Sequence, residues 1–290
     1  MQVIVKVPGS CGELIQGTIS GKDLLVTCPI NIYSKVFLSK SKCSFFDNIN
    51  EKALLAITRT LEYLKIDDTN YKINLESDLL QGKGMASSSA DISSVVKAVG
   101  LINGVNLTAE EIAEIAIKIE PTDGVFFDGI VAFDHRKGEK LKFIGKALPI
   151  SIGIFDFGGS VDTINFNKRI DLEILNSNKE KYVKEAYLKL LQGFKTKDLR
   201  MIGEATTISA LANQEILYKE NLEKIIDIVK KNEGLGVNIA HSGTLVGILF
   251  DSQQKKYLNE CINELNAKIK NISFYKKVEL INGGIYQEGE

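Results

Sequence analysis

Apolar residues along this chain repeat with two different spacings, which predicts a mixture of strands and helices. Alternation with a period of two, or a short run rich in β-branched and aromatic residues, predicts strands over residues 3–7, 24–27, 29–38, 71–75, 150–157, 244–250 and 277–281. A spacing of three to four predicts helices over residues 51–64, 92–102, 108–119, 183–191, 199–211, 222–229 and 255–268. Around residue 148 the pattern changes from strand-rich to a long helical stretch. We therefore expect two domains, residues 1–147 and residues 148–290.

Short groups of proline, glycine and polar residues mark the expected ends of these strands and helices. Pro8-Gly9 is expected to end the first strand, because proline lacks an N–H group and glycine favours turns. Thr108 and Glu111 have the spacing of a capping box, which predicts the start of a helix. That helix leads into Glu120-Pro121-Thr122-Asp123-Gly124, whose proline, aspartate and glycine predict a tight loop.

The composition narrows the range of partners. Hydrophobic residues make up 44% of the chain and charged residues 25%, as in ordinary globular proteins. A net charge of -1 gives no reason to expect nucleic acid or an anionic membrane as a partner. The four cysteines and two histidines are scattered, without zinc or disulfide spacing, which indicates a reducing compartment. With no signal peptide or long apolar run in view, we expect a cytoplasmic protein.

The most informative segment is a loop of small residues, residues 81–91, that runs directly into a predicted helix. Gly82 and Gly84 allow positive φ angles and close approach of a ligand to the main chain. The first N–H groups of the helix lack intrahelical partners and lie at the positive end of its dipole. Such a loop is suited to bind phosphate, and Lys83 adds a cation. The alternative is a glycine turn before a serine-capped helix that binds nothing.

The spacing in this loop excludes two common phosphate-binding motifs. A P-loop needs four residues between its first glycine and the Gly-Lys-Ser/Thr triplet, whereas one residue separates Gly82 from Gly84. The dinucleotide fingerprint needs a third glycine at the sixth position, where this chain has Ser87.

The pattern Gly82-x-Gly84-x-x-Ser87-Ser88 instead resembles the second motif of the GHMP kinases, the superfamily of galactokinase, homoserine kinase and mevalonate kinase. Residues 8–17, Pro-Gly-Ser-Cys-Gly-Glu-Leu-Ile-Gln-Gly, are similar to its first motif. Residues 234–247, which contain Gly-Leu-Gly and Ala-His-Ser-Gly-Thr, are similar to its third motif. The amino-acid sequences of the first motif, of the loop and of Glu-Pro-Thr-Asp-Gly most resemble those of the L-threonine kinases of cobalamin synthesis.

This resemblance implies a fold, a reaction and two cofactors. The fold is α+β, with an N-terminal domain like ribosomal S5 domain 2 and a ferredoxin-like C-terminal domain. The reaction is Mg²⁺- and ATP-dependent phosphorylation of the L-threonine hydroxyl, giving O-phospho-L-threonine for the linker of the cobalamin nucleotide loop. The partners are ATP and a small hydroxy amino acid, and a homodimer is left open. The resemblance implies that the ATP phosphates contact Gln81, Gly82, Lys83, Gly84, Met85, Ala86, Ser87, Ser88 and Ser89.

Asp123 is the expected catalytic base, because the resemblance places it in a loop where several of these kinases carry such an aspartate. An Asx-turn is its structural alternative. Ser88 and Glu120 are the expected Mg²⁺ ligands, with Glu114 as an alternative to Glu120. For either glutamate, an exposed position on a helix is the structural alternative.

The substrate side is expected to contain Ser10, Glu13, Gln16 and His241. Glu13 and Gln16 can recognise an amino group, as can Asp162 and Thr163, while turn or capping roles are the alternative. Ser10 occupies the position at which many GHMP kinases carry a lysine, so this chain lacks that cation. Homoserine kinase is the first rival function, and a non-catalytic nucleotide-binding regulator on the same fold is the second.

Overall fold

A computed structural model describes residues 2–67 and 70–288, without the side chains of residues 163, 164 and 288. The strands are β1 (Gln2–Ile19), β2 (Lys22–Lys40), β3 (Phe45–Asp47), β4 (Tyr71–Ser77), β5 (Ile130–Asp134), β6 (Glu139–Gly145), β7 (Ile150–Asp156), β8 (Gly236–Ile239), β9 (Leu245–Asp251), β10 (Ser273–Glu279) and β11 (Tyr286–Glu288). The helices are α1 (Glu51–Leu64), α2 (Ser87–Ile102), α3 (Ala109–Ala116), α4 (Thr163–Asn167), α5 (Leu172–Thr196), α6 (Leu199–Ala212), α7 (Leu222–Lys231) and α8 (Lys255–Lys268).

All seven predicted helices are confirmed, and α1 and α8 have the predicted bounds. The capping box before α3 is also confirmed, with Thr108 and Glu111 bonded to each other's backbone N–H groups. Short elements were missed, namely β3, β5, β6, β8, β11 and α4, because a few residues carry too little periodicity to be recognised. None of the helices in the described ranges is long and apolar enough to cross a bilayer.

The prediction that Pro8-Gly9 ends the first strand is wrong. β1 continues through both residues, although its register against β2 shifts between Pro8 and Ser10 and twice more before Ile15. In this irregular stretch the Ser10 N–H donates to the Met85 carbonyl at 2.9 Å, and the Gly12 N–H donates to the Gly84 carbonyl at 3.1 Å. The strand therefore leaves regular pairing where its N–H groups hold the loop before α2.

A single sheet connects the two halves of the chain, in the order β10-β7-β9-β8-β1-β2-β4-β3. Most neighbouring strands are antiparallel, and β8 joins β1 where Ile239 pairs with Glu13. Outside this order, β11 pairs with β1, and β5 pairs with β2 and β6. The predicted boundary near residue 148 lies between β6 and β7, and the division into two domains stays a prediction.

Two hydrophobic clusters position the candidate site. The larger one includes most of α2, which packs on β1 and β2 and is flanked by α1 and α3. The smaller one joins α7 and α8 to β8 and β9. Burial of the apolar face of α2 fixes the direction of its axis, and so fixes the point at which its N-terminus meets the loops from both halves.

Candidate active site

The loop before α2 is held from both halves of the sheet. On one side, the loop is hydrogen bonded to β1, as described above. On the other side, the Lys83 carbonyl accepts hydrogen bonds from the N–H groups of Thr244, at 2.9 Å, and Leu245, at 3.2 Å. Gly82 and Gly84 have φ angles of +68° and +92°, as the sequence predicted. Because the supports use carbonyl groups of the loop, its N–H groups are not consumed by them.

The N-terminus of α2 has no side-chain cap. Ala86 occupies the N-cap position in a left-handed conformation, with φ of +52°, and it makes no capping hydrogen bond. The capping role considered for Ser87, Ser88 and Ser89 is therefore not found. A non-glycine residue in this conformation carries strain, and the first N–H groups of α2 lack a side-chain acceptor. These are the properties of a site that a ligand anion completes.

A cavity of about 500 Å³ opens at this point, within the range that small-molecule ligands occupy. Predicted residues that line it are Gln81, Gly82, Gly84, Met85, Ala86, Ser87, Ser88, Ser89, Glu120, Asp123, Asp162 and His241. Asp91, at the end of the segment singled out from the sequence, also lines it, and lining residues that the sequence did not reveal include Asn50, Lys52, His135 and Asn167. Nothing in their local sequence marks them, since each lies at the end of an element or inside a helix. The side chain of Thr163 lies outside the described part of the chain.

Asp123 lies beside Ser89, which belongs to the first turn of α2. The Ser89 hydroxyl accepts a hydrogen bond from the Asp123 N–H at 2.9 Å and donates to its Oδ2 at 3.3 Å. Burial raises the pKa of Asp123 to about 6, opposed by the Ser89 hydrogen bond and assisted by the negative charge of Glu120. A carboxylate with a pKa near neutrality is suited to accept a proton from an alcohol.

The two predicted metal ligands are in contact. The Ser88 hydroxyl donates to Glu120 Oε1, and the Lys52 ammonium binds Glu120 Oε2 at 2.6 Å. Glu120 is 5% exposed, whereas the Glu114 side chain is 55% exposed, pairs with Lys118 and does not line the cavity. The described residues contain no cluster of three or more His, Cys, Asp or Glu suited to a metal. One hydroxyl and one carboxylate fit Mg²⁺, which takes few protein ligands and retains water and phosphate.

Lys83 makes contacts away from the cavity. Its ammonium binds Asp156 Oδ2 at 2.7 Å and donates to the Gly159 carbonyl at 2.5 Å. Asp156 Oδ1 accepts a hydrogen bond from the Thr244 hydroxyl at 2.5 Å. No signal in the sequence marks this role of Asp156, which ties the loop before α2 to β7 and to Thr244, just before β9.

The remaining predicted substrate residues are buried next to the cavity. Gln16 contacts His241, with 3.2 Å between Gln16 Oε1 and His241 Nδ1. Ser10 Oγ and Glu13 Oε2 are buried without a hydrogen-bond partner among the described residues. Burial, and then the negative charge of Asp123, raise the pKa of Glu13 well above its usual value. A buried carboxyl group that has an unpartnered oxygen and lies near a second carboxyl group is a candidate for binding a cationic ligand group.

Two family descriptions match the chain, "GHMP kinases N terminal domain" over residues 48–132 and "GHMP kinases C terminal" over residues 190–270. The L-threonine kinase of Salmonella typhimurium is 28% identical over 256 residues, covering 87% of this chain and 84% of that protein. The mevalonate kinase of Methanococcus jannaschii superposes with a TM-score of 0.72 at 20% identity, covering 97% of this chain and 99% of that one. The homoserine kinase of Cytophaga hutchinsonii superposes with a TM-score of 0.70 at 16% identity, covering 99% and 97%.

Proposed function

Because the chain belongs to the GHMP kinase family, we propose that it transfers the γ-phosphoryl group of ATP to the hydroxyl of L-threonine. The product would be O-phospho-L-threonine, for the linker of the cobalamin nucleotide loop, formed in the cytoplasm. The observation that carries the kinase assignment is the meeting of Ser88, Glu120 and Asp123 at the uncapped N-terminus of α2. The choice of L-threonine rests on the similarity to an L-threonine kinase over most of both chains.

The residues divide the work of the reaction. The N–H groups of the loop and of the first turn of α2 would bind the triphosphate. Ser88 and Glu120 would hold Mg²⁺, which neutralises phosphate charge when bound. Asp123, held by Ser89, would accept the hydroxyl proton as the bond from oxygen to the γ-phosphorus forms and the bond to ADP breaks. Positioning of the two substrates would supply most of the rate.

Lys52 offers a cation that the first motif lacks. Ser10 stands where many GHMP kinases have a lysine, and the Lys52 ammonium lies on Glu120 at the cavity wall. It would hold the Glu120 carboxylate in place and offset negative charge beside the phosphates.

The test is a substrate comparison with the purified full-length protein. ADP release with Mg-ATP is measured for L-threonine, L-serine, L-homoserine and mevalonate, and the product is identified by phosphorus NMR. We expect the highest kcat/KM for L-threonine. A preference for L-homoserine would support the rival homoserine kinase function. Binding of ATP without turnover of any acceptor would support the non-catalytic regulator.

A further inference from the structure

Two histidines, His135 and His241, form a pair in the cavity wall. His135 follows β5 and His241 lies between β8 and β9, so residues far apart in sequence meet here. They are 5% and 8% exposed, and their ring centroids are 5.2 Å apart in an edge-to-face contact. Phe166 also packs edge-to-face against His241, with the same centroid separation. This packing holds both rings in the cavity wall.

Each ring has one engaged nitrogen and one free nitrogen. The Gln16 amide donates to the Ile239 carbonyl at 3.2 Å, so Gln16 Oε1 accepts a hydrogen bond from His241 Nδ1. His241 Nε2 has no partner in the described part of the chain. His135 is hydrogen bonded to the Asn167 side chain, while its Nδ1 is buried and has no described partner. Buried polar atoms are rarely left unpaired, so two of them in one cavity wall indicate a ligand.

The charges around His241 indicate the sign of that ligand. Every charged group that perturbs His241 is cationic or can become so, namely His135, Lys179 and Arg136. Lys179, on α5, is 5% exposed and donates to Asn213 Oδ1 at 2.6 Å, and burial lowers the pKa of its amino group to about 7, so that it is partly charged near neutral pH. Basic groups in a desolvated wall, with no carboxylate among the groups that perturb His241, favour an anionic ligand group.

The acidic groups near His135 do not reverse this sign. Asp134 Oδ1 accepts hydrogen bonds from the N–H groups of Arg136 and Lys137, at 3.0 and 2.9 Å. Asp23 lies 3.8 Å from the Arg136 guanidinium. Both carboxylates are therefore matched by local donors or by a cation.

We propose that His135 and His241 bind the α-carboxylate of the acceptor, and that the pair takes up one proton from solvent when it does. This inference rests on the proposed function and specifies how the acceptor is chosen. Burial and the neighbouring cations lower the pKa of His241, and burial lowers that of His135, so both are neutral before the ligand arrives. A carboxylate beside the free nitrogens favours the protonated form, which adds a charged hydrogen bond.

The first test removes the carboxylate from the ligand and the imidazole from the protein. Steady-state kinetics at saturating Mg-ATP compare L-threonine with aminopropanol, which is threonine without its carboxylate, in wild type, His135→Leu and His241→Leu. Loss of a hydrogen bond to a charged group predicts a fall in kcat/KM for L-threonine of about 10- to 100-fold, carried by KM. For aminopropanol the variants should change kcat/KM less than about threefold. His241→Gln, which keeps a donor at the position of Nε2, should recover part of the loss.

The second test follows the proton. Calorimetric titration of L-threonine into the enzyme with Mg²⁺ and a non-hydrolysable ATP analogue, in two buffers of different ionisation enthalpy, should show net proton uptake near pH 7. Uptake should be absent in His241→Gln, whose unfolding temperature and KM for Mg-ATP report on folding. An equal loss of kcat/KM for aminopropanol, or no proton uptake by wild type, would overturn the inference and favour ammonium recognition by the pair.

The two hypotheses fail separately. If wild type phosphorylates no amino acid, the proposed function falls. The β-hydroxy acid that is threonine without its amino group still tests the histidine pair, because its binding should weaken in His241→Leu and should take up a proton in wild type.

Discussion

Ser89 and Asp123 are hydrogen bonded in both directions. The serine hydroxyl accepts from the Asp123 N–H at 2.9 Å and donates to its carboxylate at 3.3 Å. One residue of α2 thus fixes both the backbone and the side chain of a loop that follows α3. Because the same turn of α2 begins the candidate phosphate site, the distance from that site to the carboxylate is set by a single helix turn.

The first prediction concerns Asp123 itself. If its carboxylate accepts the hydroxyl proton, Asp123→Asn should lower kcat about 10²- to 10⁴-fold while KM for Mg-ATP changes little. Asp128→Asn is the matched control, because Asp128 is exposed and pairs with Lys146 at the surface. Stopped assays of ADP release measure both variants. A residual kcat within about tenfold of wild type would remove Asp123 from the role of base.

The pH dependence of activity should report on the same carboxylate. Its pKa is raised to about 6, so kcat/KM should fall as the pH drops below about 6 and the base becomes protonated. The Ser89 hydrogen bond lowers this pKa, so Ser89→Ala should move the acidic limb to higher pH by about half to one unit. Ser93→Ala is the control, because it removes a buried hydroxyl one helix turn later that donates to the Ser89 carbonyl. It should leave the acidic limb of the pH profile in place. A limb that moves down in Ser89→Ala would contradict the assignment.

Mg²⁺ dependence should separate the two glutamates considered from sequence. Glu120→Gln and Ser88→Ala should each raise the Mg²⁺ concentration for half-maximal activity about tenfold or more, because each removes or weakens an oxygen ligand. Glu114→Gln should leave it unchanged, since Glu114 is exposed and paired with Lys118. Activity is titrated with Mg²⁺ at a fixed ATP concentration. An effect of Glu114→Gln that equals that of Glu120→Gln would contradict the site.

The role of Lys83 is tested by a double-mutant cycle. If its ammonium acts by holding Asp156, then Lys83→Met, Asp156→Asn and the double variant should raise KM for Mg-ATP by similar factors, because all three release the loop from β7. If Lys83 contacts the triphosphate directly, Lys83→Met should be much more harmful than Asp156→Asn. The cycle is read from KM values, with unfolding temperatures as the check on folding.

Much of the fold could be read from sequence, because long periodic segments report directly on burial. The helices from Glu51 to Leu64 and from Lys255 to Lys268 were predicted with the observed bounds. Strand ends were harder to predict. Proline and glycine at residues 8 and 9 are typical of a strand end, yet β1 continues through an irregular stretch that hydrogen bonds to the loop before α2. Such a partner lies 75 residues away and leaves no local signal.

The candidate site shows the same division. The loop and Glu120 carry local signals, in glycine spacing and in a turn after a capped helix, and the structure brings Ser88 and Glu120 into contact. Lys52 and His135 carry none, because each enters the cavity through the packing of α1 or the end of β5. Sequence reasoning considered Lys83 for phosphate contact without seeing that Asp156 lies beside it.

The last prediction concerns the close contact between Gly84, in the loop before α2, and Ala240. A Cβ atom added to Gly84 would lie 2.2 Å from the Ala240 Cβ, and its φ of +92° disfavours any side chain. Gly21 is the matched control, since its φ is +71° and an added Cβ meets nothing within 4 Å. Gly21→Ala should therefore cost about 1 kcal/mol of unfolding free energy through backbone strain alone, with activity unchanged. Gly84→Ala should cost a further 1–3 kcal/mol, roughly, from overpacking, and should raise KM for Mg-ATP at least about tenfold, because the loop must move away from residue 240.

Urea unfolding and ATP titration measure the two effects. Equal stability losses in both variants, with ATP binding intact in Gly84→Ala, would show that the loop does not depend on this close contact.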